Sequence, residues 1–327
     1  MSFGLYVAII NLLICSIISY SIAPIVIRIG YKFNIVDLPD FRKVHKKPIV
    51  RIGGLTIFGV ASIYFLLIKF FTKFGNFDGD ISSKFYFFLI GGLLFFLIGI
   101  HDDIYKSSPF FRLILQFVVA FFVSFGGIRF CSLDFYLPYF GQINILLPNT
   151  INYLFSMFWI VGITNAINWL DGIDALAGGY CAILCIGFCS LMLNVGNISG
   201  ILFFSIILGS IIGFLIRNFK PALYIMGDCG SNFLGYLFSS SSLLFLPELT
   251  KSSNSINIFY LLLIFSLPLG DMFLVITERL LKKQNIFLPD RNHIHHKLMN
   301  LNIGYNFIIS LLLFFSALTI SIGFFNL

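Results

Sequence analysis

The chain has 327 residues, of which 58% are hydrophobic and 11% charged, with 42 Phe, a formal charge of +7 and a mean hydropathy of +0.97. Soluble domains average ~45–50% apolar and ~25% charged residues, so a soluble enzyme, a disordered chain and a secreted disulfide scaffold are excluded. The composition predicts an all-α polytopic membrane protein, a single integral-membrane domain over 1–327 built from helices of ~20 apolar residues.

In chain order, apolar segments predict about ten membrane helices, over roughly 3–28, 52–71, 85–100, 110–126, 151–168, 177–193, 198–217, 231–246, 256–277 and 304–326. The first has no basic residue before it and Arg28 and Lys32 after it, the reverse of a signal peptide, so it reads as an uncleaved anchor. The third is short and opens near Lys84. Between the fourth and fifth, 127–150 holds Pro138, Gly141 and Pro148 with some alternation, which suggests a hairpin. Cys181, Cys185 and Cys189 fall on one face of the sixth helix, and Ser239–Ser242 lie in the eighth; both read as small residues that let helices approach. Sixteen of the 21 Lys and Arg lie near the odd-numbered loops and five near the even ones. The positive-inside rule therefore puts the odd loops in the cytoplasm and both termini outside.

All five His and ten of the fourteen acids also fall at the odd loops. A carboxylate at membrane depth costs ~2.5–3.5 kcal/mol, and clustered ones repel unless a cation or proton intervenes. Function is the better reason for placing them there. Asp102 and Asp103 directly follow an apolar helix; a solvated helix end is the alternative. Asn168, Asp171 and Asp174 are spaced i, i+3, i+6 on one helix face, in a loop without Lys or Arg. Hard oxygen ligands with no basic partner near in sequence suggest Mg²⁺ or Mn²⁺. Asp228, between glycines in Met226-Gly-Asp-Cys-Gly, could be an N-cap alone or complete that site. The run Pro289-Asp-Arg291-Asn-His293-Ile-His295-His296-Lys297 reads as an anion-binding patch, with zinc as the lesser alternative. The basic segment 36–54, with Lys47, serves either anionic headgroups or a phosphate, and Gly53-Gly54 at the start of the second helix would allow a close backbone approach.

Acids and bases on one membrane face describe a phosphoryl-transfer site, in which a dication reverses the sign of the carboxylates and basic groups hold the remaining phosphate charge. With almost no soluble domain, one substrate should be a lipid and the other a soluble nucleotide.

The segments VDLPDFRKVHKKPIVRIGG, HDD, NAINWLDGID, MGDCGS and LPLGDMF…PDRNHIHHKL resemble the polyprenyl-phosphate N-acetylhexosamine-1-phosphate transferase family, in family order over about 36–298. The HIHH form is similar to the WecA- and TagO-like branch, more distantly to the MraY type. The resemblance implies that undecaprenyl phosphate attacks a UDP-N-acetylhexosamine, most simply UDP-GlcNAc, to give the lipid diphosphate sugar and UMP with Mg²⁺. It starts a cell-envelope polysaccharide of the cell-wall or O-antigen kind, at the cytoplasmic face of the plasma membrane. It implies that Asp102 and Asp103 are the catalytic pair. Asn168, Asp228 and nearby Asp171 would serve the metal and diphosphate. Lys47 would lie near the nucleotide phosphates, Asn218 at the uridine, and Arg291, His293, His295 and His296 at the sugar–diphosphate side. It implies no nucleic-acid partner and leaves homodimerisation open. Two departures stand out. Ala175 follows Asp174 where the family commonly has Gly, and Ile225, beside Tyr224, replaces an aromatic of the MraY type. The alternatives are the same chemistry with another UDP-amino sugar, a cation or proton transporter, for which Asp271 is best placed, and a non-enzymatic lipid-binding scaffold.

Overall fold

The computed structural model describes residues 2–39, 47–72, 77, 80–130, 132–137, 141–245, 256–285, 292–301 and 303–325. Its helices are α1 (Ser2–Lys32), α2 (Gly54–Phe71), α3 (Asp80–Tyr105), α4 (Pro109–Phe125), α5 (Asn149–Leu170), α6 (Leu176–Val195), α7 (Ile198–Asn218), α8 (Gly227–Leu244), α9 (Ile258–Ile264), α10 (Ser266–Leu281), α11 (Ile294–Asn300) and α12 (Tyr305–Phe325). Among the described residues seven helices are long and apolar enough to cross a membrane, and the bent pair α9–α10 makes up to eight. A helix lies over each of the ten expected segments, but α4 is short at 17 residues and α8 falls outside the apolar set. The third helix is longer than expected, because Ser82, Ser83 and Lys84 at its start and His101, Asp102 and Asp103 at its end continue it beyond the apolar stretch.

The polarity of α8 follows from its position. From Gly227 to Leu244 every residue but Asp228 is buried, and the helix packs against α2, α3, α5 and α6. A helix buried all round meets other helices rather than lipid, so small polar residues serve it better than Leu or Ile. Within it, the Ser242 hydroxyl accepts from Trp159 Nε1 at 3.1 Å and donates to the Ser239 carbonyl. Gly235 rests on the α5 backbone at Thr164, and Gly54 on α8 at Gly230, so close that a side chain would not fit. The close approach expected of Gly53-Gly54 is therefore real. Cys181, Cys185 and Cys189 are buried and free.

The ninth expected helix is not straight. It bends by 83° between α9 and α10. Pro268 in the first turn of α10 has no N–H, which suits a helix start and ends the preceding one. That would orphan the Ile264 carbonyl; the buried Tyr180 hydroxyl donates to it at 2.9 Å. Between α4 and α5 the expected hairpin forms: β3 (Ser132–Leu137) pairs antiparallel with β4 (Gly141–Leu146), and β5 (Ile256–Asn257) adds in parallel. The short β1 (Val36–Asp37) and β2 (Ile49–Val50) pair antiparallel between α1 and α2 in the chain.

Candidate active site

Backbone pairing brings the first odd loop to the seventh. Val50 bridges Tyr224, Ile225 N–H donates to the Val50 carbonyl at 2.9 Å, and Gly53 and Gly54 N–H donate to Ile225 and Met226 at 2.9 and 2.7 Å. The chain then turns into α8 at Gly227, whose φ of +73° suits glycine. A Cβ there would also strike the Arg51 carbonyl. Arg51 is thus held beside the first turn of α8, across from the end of α3.

Its guanidinium joins two acids: Nε donates to Asp103 Oδ1 at 2.9 Å and Nη2 to Asp228 Oδ2 at 2.7 Å. Asp103 also caps α8 from outside, accepting from Asp228 N–H at 3.0 Å and Cys229 N–H at 2.9 Å, where orphan amides and the helix dipole favour a negative group. Both Asp103 oxygens are engaged and its side chain is fully buried. Asp102 turns the other way, to Arg112 Nη1 on α4 at 2.6 Å; Arg112 lies 3.5 Å from Asp228. From the end of α5, Asn168 Nδ2 donates to Asp228 Oδ1 at 2.6 Å and to Ser231 Oγ at 2.7 Å. Asp171, the C-cap of α5, accepts from Gly227 N–H. Burial, then Asp228, Asp103 and Asp174 nearby, push the Asp171 carboxyl well above the usual carboxylate range. Asp102, Asp103, Asn168, Asp171 and Asp228 therefore meet, although they come from three separate helices.

A second cluster abuts the first. Asp271 on α10 is 1% exposed, accepts from the Ile294 N–H at 2.6 Å and pairs with His293 Nδ1 at 2.7 Å. It fixes the start of α11, on which His295 is buried against Gly172, immediately after Asp171. The rings of His293 and His295 stack 5.5 Å apart, and His296 lies 4.4 Å from His295. Among the described residues neither His295 ring nitrogen has a hydrogen-bond partner. Burial, then His296 and His293, push its pKa down to about 3, with Asp271 pulling the other way. His293 also meets Trp169 edge-on at 5.8 Å, with the Arg279 guanidinium over that indole.

The remaining expected residues fall out differently. Lys47 is exposed two residues before β2 and four before Arg51. Asn218 is 3% exposed, and its amide is engaged by backbone at both ends, accepting from Ala175 N–H at 2.8 Å and donating to the Tyr224 carbonyl at 2.9 Å. It clamps the central motif to the Tyr224 strand. Arg291 lies outside the described residues, as do residues 40–46 of the first basic segment.

Arg112 escaped the sequence reading, counted only as an orientation charge; Arg51 was read only within the basic segment 36–54, and Asp271 only as the acid best placed for a transporter. The central loop lacks a basic residue in sequence, but not in space: two guanidiniums reach it from the first and second of the odd-numbered loops. Their only signal was that each belongs to a loop that also carries acids. The arginines bear on the metal expectation. Among the described residues no three His, Cys, Asp or Glu are grouped so that they alone could hold a metal ion. Four carboxylates (Asp102, Asp103, Asp171, Asp228) nonetheless face two guanidiniums (Arg51, Arg112). That crowds hard oxygen donors, Asp171 among them held towards its neutral form by burial, around two cations. The set fits Mg²⁺, which takes one or two protein carboxylates and completes its shell with phosphate and water.

Comparison with known proteins gives the same direction. Residues 85–246 match the model of glycosyl transferase family 4. The chain is 36% identical over 279 residues to a probable undecaprenyl-phosphate N-acetylglucosaminyl 1-phosphate transferase of Bacillus subtilis (strain 168), covering 85% of this chain and 73% of the relative. The chain belongs to glycosyl transferase family 4. A decaprenyl-phosphate N-acetylglucosaminephosphotransferase of Mycobacterium leprae (strain TN) is 30% identical, covering 88% of this chain and 76% of its own. An undecaprenyl-phosphate alpha-N-acetylglucosaminyl 1-phosphate transferase of Escherichia coli (strain K12) is 29% identical, covering 90% and 77%. The family match takes in the Asp102–Asp103 pair, the central motif, Arg112, Asn218 and Asp228. The Arg51 loop and the histidine cluster lie outside it.

Proposed function

We propose that this membrane protein transfers N-acetylglucosamine-1-phosphate from UDP-GlcNAc to undecaprenyl phosphate, giving undecaprenyl-diphosphate-N-acetylglucosamine and UMP. The observation that carries it is the convergence of Asp102, Asp103, Asp171 and Asp228 with Arg51 and Arg112 at one end of the bundle. Two phosphates of like charge must meet, and the arginines and the α8 N-terminus supply fixed positive potential where they would do so. Asp171, Asp228 and Asn168 would hold Mg²⁺ or Mn²⁺, which when bound neutralises charge on the donor diphosphate. Asp103, engaged through both oxygens, holds Arg51 and α8 in place. Asp102, with Arg112 as its partner, is the acid free to accept a proton from the lipid phosphate. His293, His295 and His296 face the sugar–diphosphate, and Lys47 the nucleotide; Arg291, two residues before His293 in sequence, would serve the same side as the histidines.

The acid-bearing end faces the cytoplasm in this reading, which the loop charges support, with α4 and α8 completing ten spans and both termini outside. A transporter would place its acids near the midplane. Here the best such candidate, Asp271, is tied to His293 and Ile294 instead. The test is direct: purified protein with undecaprenyl phosphate, Mg²⁺ and a panel of UDP-sugars. UMP should be released with UDP-GlcNAc and fall away with UDP-glucose. Release with a different UDP-amino sugar alone would reassign the donor; release with none would reject the transfer.

A further inference from the structure

One helical turn further into the bundle from the acid cluster lies a second polar layer. Between Leu113 and Val123 of α4 the chain carries one polar side chain, Gln116, and it is fully buried. Gln116 Oε1 accepts from Asn165 Nδ2 of α5 at 2.7 Å, and Gln116 Nε2 donates to Asn232 Oδ1 of α8 at 2.7 Å. Asn232 is also fully buried, and its Nδ2 donates to the Asp228 carbonyl at 2.8 Å. Three side-chain amides thus form one directed chain across three helices. Turning Gln116 over would set acceptor against acceptor at Asn232 and donor against donor at Asn165. Such groups are costly to leave unpaired at membrane depth, so Leu or Met would serve α4 better if only volume mattered.

The layer keeps step with the site. Gln116 lies four residues after Arg112, Asn232 four after Asp228, and Asn165 three before Asn168, spacings that stack side chains on one helix face. Each of α4, α5 and α8 therefore offers one group to the site and, a turn further in, one to the amide chain. Arg112 sits in the first turn of α4, where helix ends fray, yet it meets Asp102 at 2.6 Å and Asp228 at 3.5 Å. Gln116 ties the next turn of α4 to the helix that carries Asp228 and to the one that carries Asn168. Sliding or turning α4 as a unit, which would move Arg112 off the acids, has to break both Gln116 hydrogen bonds.

We propose that Gln116 is a positioning residue for the transfer, holding α4 in the register at which Arg112 engages Asp102 and Asp228. The inference rests on the transferase reading above. Gln116→Met keeps the volume and loses both hydrogen bonds. With undecaprenyl phosphate and UDP-GlcNAc its kcat should fall at least ~10-fold, the scale of a small misplacement of a reacting group, while KM for UDP-GlcNAc stays unchanged. Added to Arg112→Ala, Gln116→Met should cost kcat little more, because the group it positions is already gone. Gln116→Glu separates hydrogen bonding from bulk. Its neutral carboxyl can accept from Asn165 and donate to Asn232, so at about pH 6 it should keep about half of the wild-type kcat or more. A role in packing alone would lower the melting temperature of Gln116→Met and spare the kcat of the folded protein. That result, losses that multiply in the double variant, or a Gln116→Glu as slow as Gln116→Met, would overturn the proposal. Should Gln116→Met not fold, Asn165→Ala removes the donor to Gln116 instead: its kcat should fall, and the fall should vanish beside Arg112→Ala; an unchanged kcat would likewise overturn the proposal. Wild-type UMP release keeps the two readings apart. Its absence would reject the transfer itself, whereas a normal wild-type rate shared by Gln116→Met would reject the Gln116 assignment alone.

Discussion

Arg51 is the residue on which the site's electrostatics turn. It holds Asp103 and Asp228 together, and without it two mostly buried carboxylates face each other. Breaking such a pair from one side costs ~3–5 kcal/mol, so Arg51→Ala should lower the melting temperature sharply. Arg51→Ala combined with Asp228→Asn should be less destabilised than the two single losses added together; strict additivity would show that the ion pair is not formed. His295 gives a pH test. Its pKa, about 3 in the fold against the ordinary 6.5, lies below the unfolded value. Stability is therefore full above pH 6.5 and is lost as pH falls towards 3, at up to ~1.4 kcal/mol per unit. In His295→Leu that loss should vanish, so wild-type melting temperature should fall faster than the variant's between pH 6.5 and 4. Parallel slopes would place the imidazole in water.

At the scale of elements, the informative positions are those where backbones touch. Ala175 starts α6 at φ +67°, a left-handed conformation that favours glycine, and lies 2% exposed with its N–H on Asn218. Ala175→Gly should raise stability by ~0.5–1 kcal/mol in a denaturation experiment; a loss would mean that the strain is absent. Much at this scale was legible in the sequence. Apolar runs located the ten helical segments, Pro138 and Gly141 the hairpin, and Gly53-Gly54 a close approach. The 83° bend was not, because Pro268 sits inside an unbroken apolar run and hydropathy carries no direction. Nor was the burial of α8 on all sides, because its low apolarity reflects its neighbours, which no local window contains.

For the whole molecule, the sequence placed the acids at one end of the bundle but not the two guanidiniums among them. Arg51 and Arg112 lie 52 and 10 residues from their aspartate partners Asp103 and Asp102, and opposite charges so separated look like topology signals until the helices pack. The crowding of Asp171 against Asp228 and Asp103 has a consequence that needs no turnover. In EDTA, Asp171→Asn should melt higher than wild type, since one carboxylate leaves the crowd; Mg²⁺ should then stabilise wild type and not the variant. A Mg²⁺ effect identical in both would remove Asp171 from the metal site.

The transferase reading depends most on Asp228, which touches Arg51, Arg112 and Asn168 at once. The decisive measurement is UMP release by purified Asp228→Asn with undecaprenyl phosphate, UDP-GlcNAc and Mg²⁺, beside its melting temperature. The account predicts a folded protein whose turnover falls by at least ~10³-fold. Turnover within a few-fold of wild type would contradict it.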